Sequence, residues 1–94
     1  MAVAIIMDFP GGTLEQYDQV IEKMGLEPGG DTPDGAMFHW VTQTPDGLRV
    51  VDVWETQDQF DRFAEEQIGP YSQEAGLEPP QSTVHDVHNH FIAS

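Results

Sequence analysis

The chain contains no cysteine and only three basic residues, Lys23, Arg49 and Arg62, among 94. The missing cysteine excludes a disulfide framework and any thiolate nucleophile or thiolate metal site. It also suits a reducing compartment, so a cytoplasmic location is expected. Against the three cations stand 17 acidic residues, for a formal net charge of −14. A surface of that sign repels phosphate backbones and anionic lipid, so neither nucleic acid nor membrane is expected as a partner. Such charge favours solubility. No apolar run is long enough to span a bilayer. The opening Met1-Ala2-Val3-Ala4-Ile5-Ile6-Met7-Asp8 lacks a basic leader and reads as a strand, not a signal peptide. At this length one domain over residues 1–94 is expected, with a modest core.

What is present orders itself into six elements. Ala2 to Phe9 is a short apolar run closed by Pro10-Gly11-Gly12, which favours a strand. Thr13-Leu14-Glu15-Gln16 is a capping box. Leu14, Tyr17, Ile21 and Met24 follow at spacings of three and four and form one helical stripe, with Gly25 as the left-handed stop. In this pattern Tyr17 reads as ordinary core. Glu27 to Gly35 is a Pro- and Gly-rich loop. Ala36 to Thr42 and Leu48 to Glu55 read as strands joined by a tight turn at Thr44-Pro45-Asp46-Gly47. Thr56-Gln57-Asp58-Gln59 is a second capping box, opening a helix with Phe60, Phe63, Ala64 and Ile68 as its stripe. Gly69-Pro70 is expected to break it, with a short helical turn resuming up to Gly76. After Pro79-Pro80, Ser82 to Phe91 reads as the last strand.

The order β-α-β-β-α-β is that of a ferredoxin-like α+β domain. Its four-stranded antiparallel sheet carries both helices on one face. Yet strands two and three put large apolar residues on both faces. Phe38 and Trp40 share one side of strand two, Met37 and Val41 the other, and Val50, Asp52 and Trp54 alternate with Val51 and Val53. An uncovered apolar face marks an interface or a ligand site. A twofold partner supplying the same sheet is the simplest cover, which makes a homodimer the expected assembly.

Several segments together carry a resemblance: Phe38-His39-Trp40, Arg49-Val50-Val51-Asp52-Val53-Trp54-Glu55-Thr56, Phe60 with Phe63, and Val84-His85-Asp86-Val87-His88-Asn89. Over nearly its whole length the chain resembles small actinobacterial proteins of the antibiotic biosynthesis monooxygenase-like, dimeric α+β barrel superfamily. The resemblance implies a dimer with a pocket in each sheet. It does not imply one reaction, because the superfamily spans cofactor-independent oxygenases, haem-degrading enzymes, cyclases, isomerases and binders. Haem-degrading members use an Asn on the first strand, a Trp on the third and a haem-ligating His on the second helix. Trp54 matches the Trp, but Met7 and Asp8 stand near the Asn position and Gln57 to Gln67 holds no histidine.

Asp52 is the sharpest single residue. It sits between valines in a central strand, where a carboxylate needs a partner and can serve as an acid or base. Its relation to His39 depends on the hairpin register. A two-residue loop at Pro45-Asp46 sets His39 opposite Asp52. A Gly47 bulge sets Trp40 opposite Asp52 instead and turns His39 towards the helices; Pro-Asp-Gly favours the bulge. His88 is the third catalytic candidate, through the Val87-His88-Asn89 ending that belongs to the family pattern. His88 and His90 share a face, but a strand His-x-His needs a third ligand, so no metal site is assigned. Phe38, Trp40 and Trp54 are expected to form one aromatic wall, with Val50 and Met7 completing the substrate contacts.

The expected function is that of a small-molecule enzyme using acid/base chemistry without metal or flavin. Asp52, with His39 or His88, would take a proton from an aromatic or polyketide-like substrate, leading to oxygenation, cyclisation or isomerisation. The alternative is a dimeric barrel that binds a small ligand or haem without turnover. A third reading is a purely structural dimer with a filled interior.

Overall fold

The computed structural model describes residues 1–92. Its elements are β1 (Val3–Pro10), α1 (Leu14–Met24), β2 (Ala36–Thr44), β3 (Gly47–Trp54), α2 (Gln57–Phe63), a π-helical turn (Ala64–Ile68), α3 (Gly69–Glu74) and β4 (Gln81–Asp86). The strands form one antiparallel sheet in the order β2-β3-β1-β4. This is the ferredoxin-like arrangement.

Both helical segments begin where the caps require. The Thr13 side chain accepts from the backbone N–H of Gln16, and the Gln16 side chain accepts from the backbone N–H of Thr13. Gly25 closes α1 in the left-handed region at φ 76°. Thr56 caps α2 through the backbone N–H of Gln59.

The helix after β3 does not break at Gly69-Pro70, as the sequence had suggested. The backbone N–H of Gly69 reaches back five residues to the carbonyl of Ala64, and the chain continues into α3. Pro70 lies within this continuous helical run, so its missing N–H leaves one carbonyl of the preceding turn without a helical donor. The widened turn absorbs the proline ring that an unbroken α-helix would meet.

One face of the sheet carries the core. Val3, Ile5, Met7 and Phe9 of β1 and Leu48, Val50 and Trp54 of β3 are buried there, and Phe60 packs on them from α2. The rings of Phe60 and Phe63 lie 5.8 and 5.2 Å from that of Trp54. Among the described residues the opposite face carries no helix. Its cross-strand rows are Trp40–Val51–Ile6–Thr83 and Phe38–Val53–Ala4–His85, with Phe38 and Trp40 exposed.

The hairpin takes the two-residue loop and not the glycine bulge. Thr44 pairs with Gly47, and His39 stands opposite Asp52. Gly47 is needed for another reason: a Cβ there would lie 2.1 Å from the Phe9 carbonyl oxygen. The glycine lets β1 pass close to the turn. The irregularity falls instead at the far end of β2, where Met37 is the extra residue between Ala36, opposite Trp54, and Phe38, opposite Val53.

The last strand is shorter than Ser82 to Phe91. It starts one residue earlier and ends at Asp86, opposite Val3, with one further bond from the Val87 N–H to the Ala2 carbonyl. Beyond that point β1 offers no further partner. Among the described residues no helix is long and apolar enough to cross a membrane.

Candidate functional site

The direct hairpin register has a chemical consequence. With His39 opposite Asp52, both side chains emerge on the same face, beneath α1. His39 thus faces the helices in the direct register, and not through the Gly47 bulge from which that orientation was expected. His39 Nδ1 lies 2.5 Å from Asp52 Oδ1. The second carboxylate oxygen, Oδ2, accepts from the Trp54 indole N–H at 3.1 Å. Asp52 is 5 % exposed, and two donors compensate its burial. Alternation along β3 delivers this: Asp52 and Trp54 are two residues apart and so share a face.

The chain of contacts continues outward. His39 Nε2 lies 2.5 Å from the Tyr17 hydroxyl on α1. Since Asp52 accepts from Nδ1–H, the neutral imidazole presents its lone pair at Nε2 and the Tyr17 O–H donates to it. Four side chains from α1, β2 and β3 thus form one directional series: Tyr17 to His39, His39 to Asp52, and Trp54 to Asp52. No buried side-chain nitrogen or oxygen among the described residues lacks a hydrogen-bond partner.

Tyr17 is electrostatically set apart. Burial pushes its pKa up to about 12, and the charges of Asp52 and Asp18 act in the same direction. The phenol therefore stays protonated through the neutral range. It is poised to pass a proton to His39 as it receives one, not to act as a standing phenolate.

The series borders a cavity of about 620 Å³ between the sheet, α1 and the loop that follows it. Met7 and Val50 form its floor beside Asp52 and Trp54, and Ile21 and Met24 face them from α1. The size and apolar walls suit a small aromatic molecule.

Of the residues singled out from sequence, Asp52, His39, Trp54, Val50 and Met7 come together here. Phe38 and Trp40 border the cavity along β2, but their registers opposite Val53 and Val51 place them on the other face of the sheet. The expected single aromatic wall is therefore divided between two surfaces. His88 lies beyond the end of β4, is exposed, and is not among the cavity's residues. Among the described residues no three His, Asp or Glu side chains gather as a metal site would require.

Tyr17 was hidden in sequence by its place in the α1 stripe. The signal that could have found it is its hydroxyl: a tyrosine on a core-facing stripe needs a polar partner, and His39 is the polar residue of β2 on that face.

No protein-family model and no curated protein matches the chain. Solved structures do. SnoaB, a cofactor-independent oxygenase from Streptomyces nogalater, is 17 % identical over 95 % of this chain and 94 % of its own, with a TM-score of 0.58. The monooxygenase ActVA-Orf6 of Streptomyces coelicolor, solved with nanaomycin D, is 19 % identical over 99 % and 92 %, with a TM-score of 0.55. An antibiotic biosynthesis monooxygenase-type protein from Deinococcus radiodurans covers 100 % of this chain and 99 % of its own at 10 % identity and a TM-score of 0.60. The chain shares the ferredoxin-like α+β fold of these proteins. At these identities the likeness is one of fold. Within that fold, the Tyr17–His39–Asp52–Trp54 series is described from this chain's own geometry.

Proposed function

We propose that the protein is a small-molecule enzyme that deprotonates an aromatic, polyketide-like substrate in the cavity under α1. The observation that carries this reading is the hydrogen-bonded series from Tyr17 through His39 to Asp52 at a ligand-sized apolar cavity. A substrate hydroxyl or activated C–H beside Tyr17 gives its proton to the phenol oxygen as the phenol proton moves to His39 Nε2. The imidazolium that forms is held by the Asp52 carboxylate, and the Trp54 indole N–H fixes that carboxylate in place. The apolar walls lower the local polarity and strengthen these interactions. His88 has no part in this scheme.

That SnoaB is an oxygenase and ActVA-Orf6 a monooxygenase supports oxygenation as the fate of the resulting anion, with cyclisation and isomerisation as the other outcomes of the same proton removal. Oxygen uptake on addition of reduced polycyclic hydroxyarenes, with product identified by mass spectrometry, tests the proposal. Uptake that depends on His39 supports it. Stoichiometric binding of the same compounds, with no product under any condition, would instead establish a non-catalytic binder.

The second element of the proposal is a homodimer formed through the helix-free sheet face. Phe38 is 48 % and Trp40 41 % exposed there, next to Val51, Val53 and Ile6. Burial of such a face against its own copy is the arrangement expected of this fold.

A further inference from the structure

The distribution of charge around the cavity says something about the ligand that the proton relay does not. Besides Asp52 inside, three carboxylate-bearing residues border the cavity: Asp18 on α1, and Glu27 and Asp31 on the loop after it. No lysine or arginine borders it. The chain has only three such residues. Two of them are held elsewhere. Lys23 is paired with Glu74 at 3.4 Å, and Arg49 with Asp8 at 2.8 Å on the helix-free face. Arg62 is on α2 and does not border the cavity. The remaining group at the cavity able to carry a positive charge, His39, spends its Nδ1–H on Asp52 and its Nε2 on Tyr17.

A carboxylated ligand would meet four negative groups and no compensating cation. Entering apolar walls, it would also lose hydration without a charge partner. An uncharged hydroxyarene avoids both penalties and still offers a hydroxyl to Tyr17. We infer that the cavity selects uncharged hydroxyarenes and turns away their carboxylated counterparts, the acidic rim of Asp18, Glu27 and Asp31 acting as a charge filter. This inference rests on the reading of the cavity as an aromatic-substrate site and adds the charge class of that substrate.

Isothermal titration calorimetry with two probes of equal skeleton, 1-naphthol and 1-naphthoate, tests it near neutral pH and low ionic strength. There the phenol is protonated and the acid ionised. Naphthol is expected to bind at least about tenfold more tightly than naphthoate, and the gap is expected to narrow in high salt as the rim is screened. In the double variant Glu27→Gln, Asp31→Asn, which leaves Tyr17, His39, Asp52 and the Asp18 charge near Tyr17 untouched, naphthoate binding should rise while naphthol binding stays within about twofold. Naphthoate binding as tightly as naphthol, or a double variant that leaves the ratio unchanged, overturns the charge filter alone. Failure of naphthol itself to bind overturns the aromatic-site reading and the filter with it.

Discussion

The Tyr17 hydroxyl sits 2.5 Å from His39 Nε2, and the two rings lie within 9° of parallel with centroids 5.9 Å apart. The near-parallel rings are linked through this hydrogen bond. The geometry makes Tyr17 the outermost member of a relay whose inner end is a buried carboxylate.

Replacing Tyr17 by Phe should accordingly separate chemistry from folding. The ring stays in the α1 stripe and only the hydroxyl is lost. Turnover of the hydroxyarene substrate is expected to fall by about 100-fold or more, the usual contribution of a general acid–base group. The melting temperature should change little, since His39 remains partly open to water, with 35 % of its side chain exposed. Steady-state kinetics and calorimetry on the same preparation check both halves. Unaltered kcat would remove Tyr17 from the proton path.

Asp52→Asn should damage both fold and function, for a reason specific to its two partners. The carboxylate accepts from His39 Nδ1–H and from Trp54 Nε1–H. An amide has one oxygen and one NH2, so one of these donors would face another donor. His39 must then flip tautomer, which places a proton on Nε2 and removes the acceptor that Tyr17 needs. Loss of about 1–3 kcal/mol of stability is expected, together with loss of turnover. Denaturant titration gives the first number. Nitrogen NMR of His39, showing the proton moved from Nδ1 to Nε2, would identify the cause.

The raised pKa of Tyr17, about 12 against an ordinary value of 10.0, fixes the sign of a pH effect. The folded state holds the phenol proton more tightly than the unfolded chain does. The associated stability is fully present below pH 10 and is lost as pH rises towards 12. Partial solvent access keeps the contribution small. In an ultraviolet titration of the native protein, one tyrosinate signal should therefore emerge only near the upper limit, and it should be missing from Tyr17→Phe. Ionisation of Tyr17 near pH 10 would contradict its buried, carboxylate-flanked setting.

Much of this architecture could be read from the residues. Thr13 with Gln16 and Thr56 with Gln59 mark the helix starts, and Gly25 marks the first stop. Alternation in β3 sets Val50, Asp52 and Trp54 on one side, as found. What could not be read depends on contacts between elements. Pro45-Asp46-Gly47 admits two registers, and local turn preference points to the bulge. The approach of Phe9 of β1 to Gly47, distant in sequence, accompanies the other register. That choice decides whether His39 or Trp40 meets Asp52. The division of Trp54 from Phe38 and Trp40 follows from the same register. Tyr17 is hidden for a related reason: helical spacing reports which way it points, not that a histidine waits there.

Gly47→Ala tests the physical reason for that register. A methyl group placed 2.1 Å from the Phe9 carbonyl and 2.8 Å from the Gly11 nitrogen cannot be accommodated by a side-chain shift, because both neighbours are backbone. Gly47 also has φ 151°, a value that L-residues with a side chain rarely adopt. The β1–β3 ladder must open at its Pro10 end, and a loss of about 3 kcal/mol or more is expected. Thermal unfolding gives the magnitude. Gly11→Ala, at φ 68° with no atom within 4 Å of the added carbon, is the control and should cost only about 1 kcal/mol.

Trp40→Glu probes the helix-free face, and the sheet makes its outcome specific. Trp40 stands opposite Val51, and Val51 opposite Ile6, so the indole crowns an apolar row across three strands. A carboxylate there would be buried unpaired against its symmetry mate if two copies pack face to face. Light scattering should give a dimer for the native chain and a monomer for Trp40→Glu at micromolar concentration. Tyr17, His39 and Asp52 lie on the opposite face, so the relay's contacts within one subunit remain. A monomeric variant that still binds 1-naphthol would show that each subunit carries a complete cavity. A monomeric variant that is folded but binds nothing would show that the partner shapes the cavity through β2, whose Phe38 and Trp40 border it. A native chain that is already monomeric would leave the Trp40 face without the partner assigned to it here.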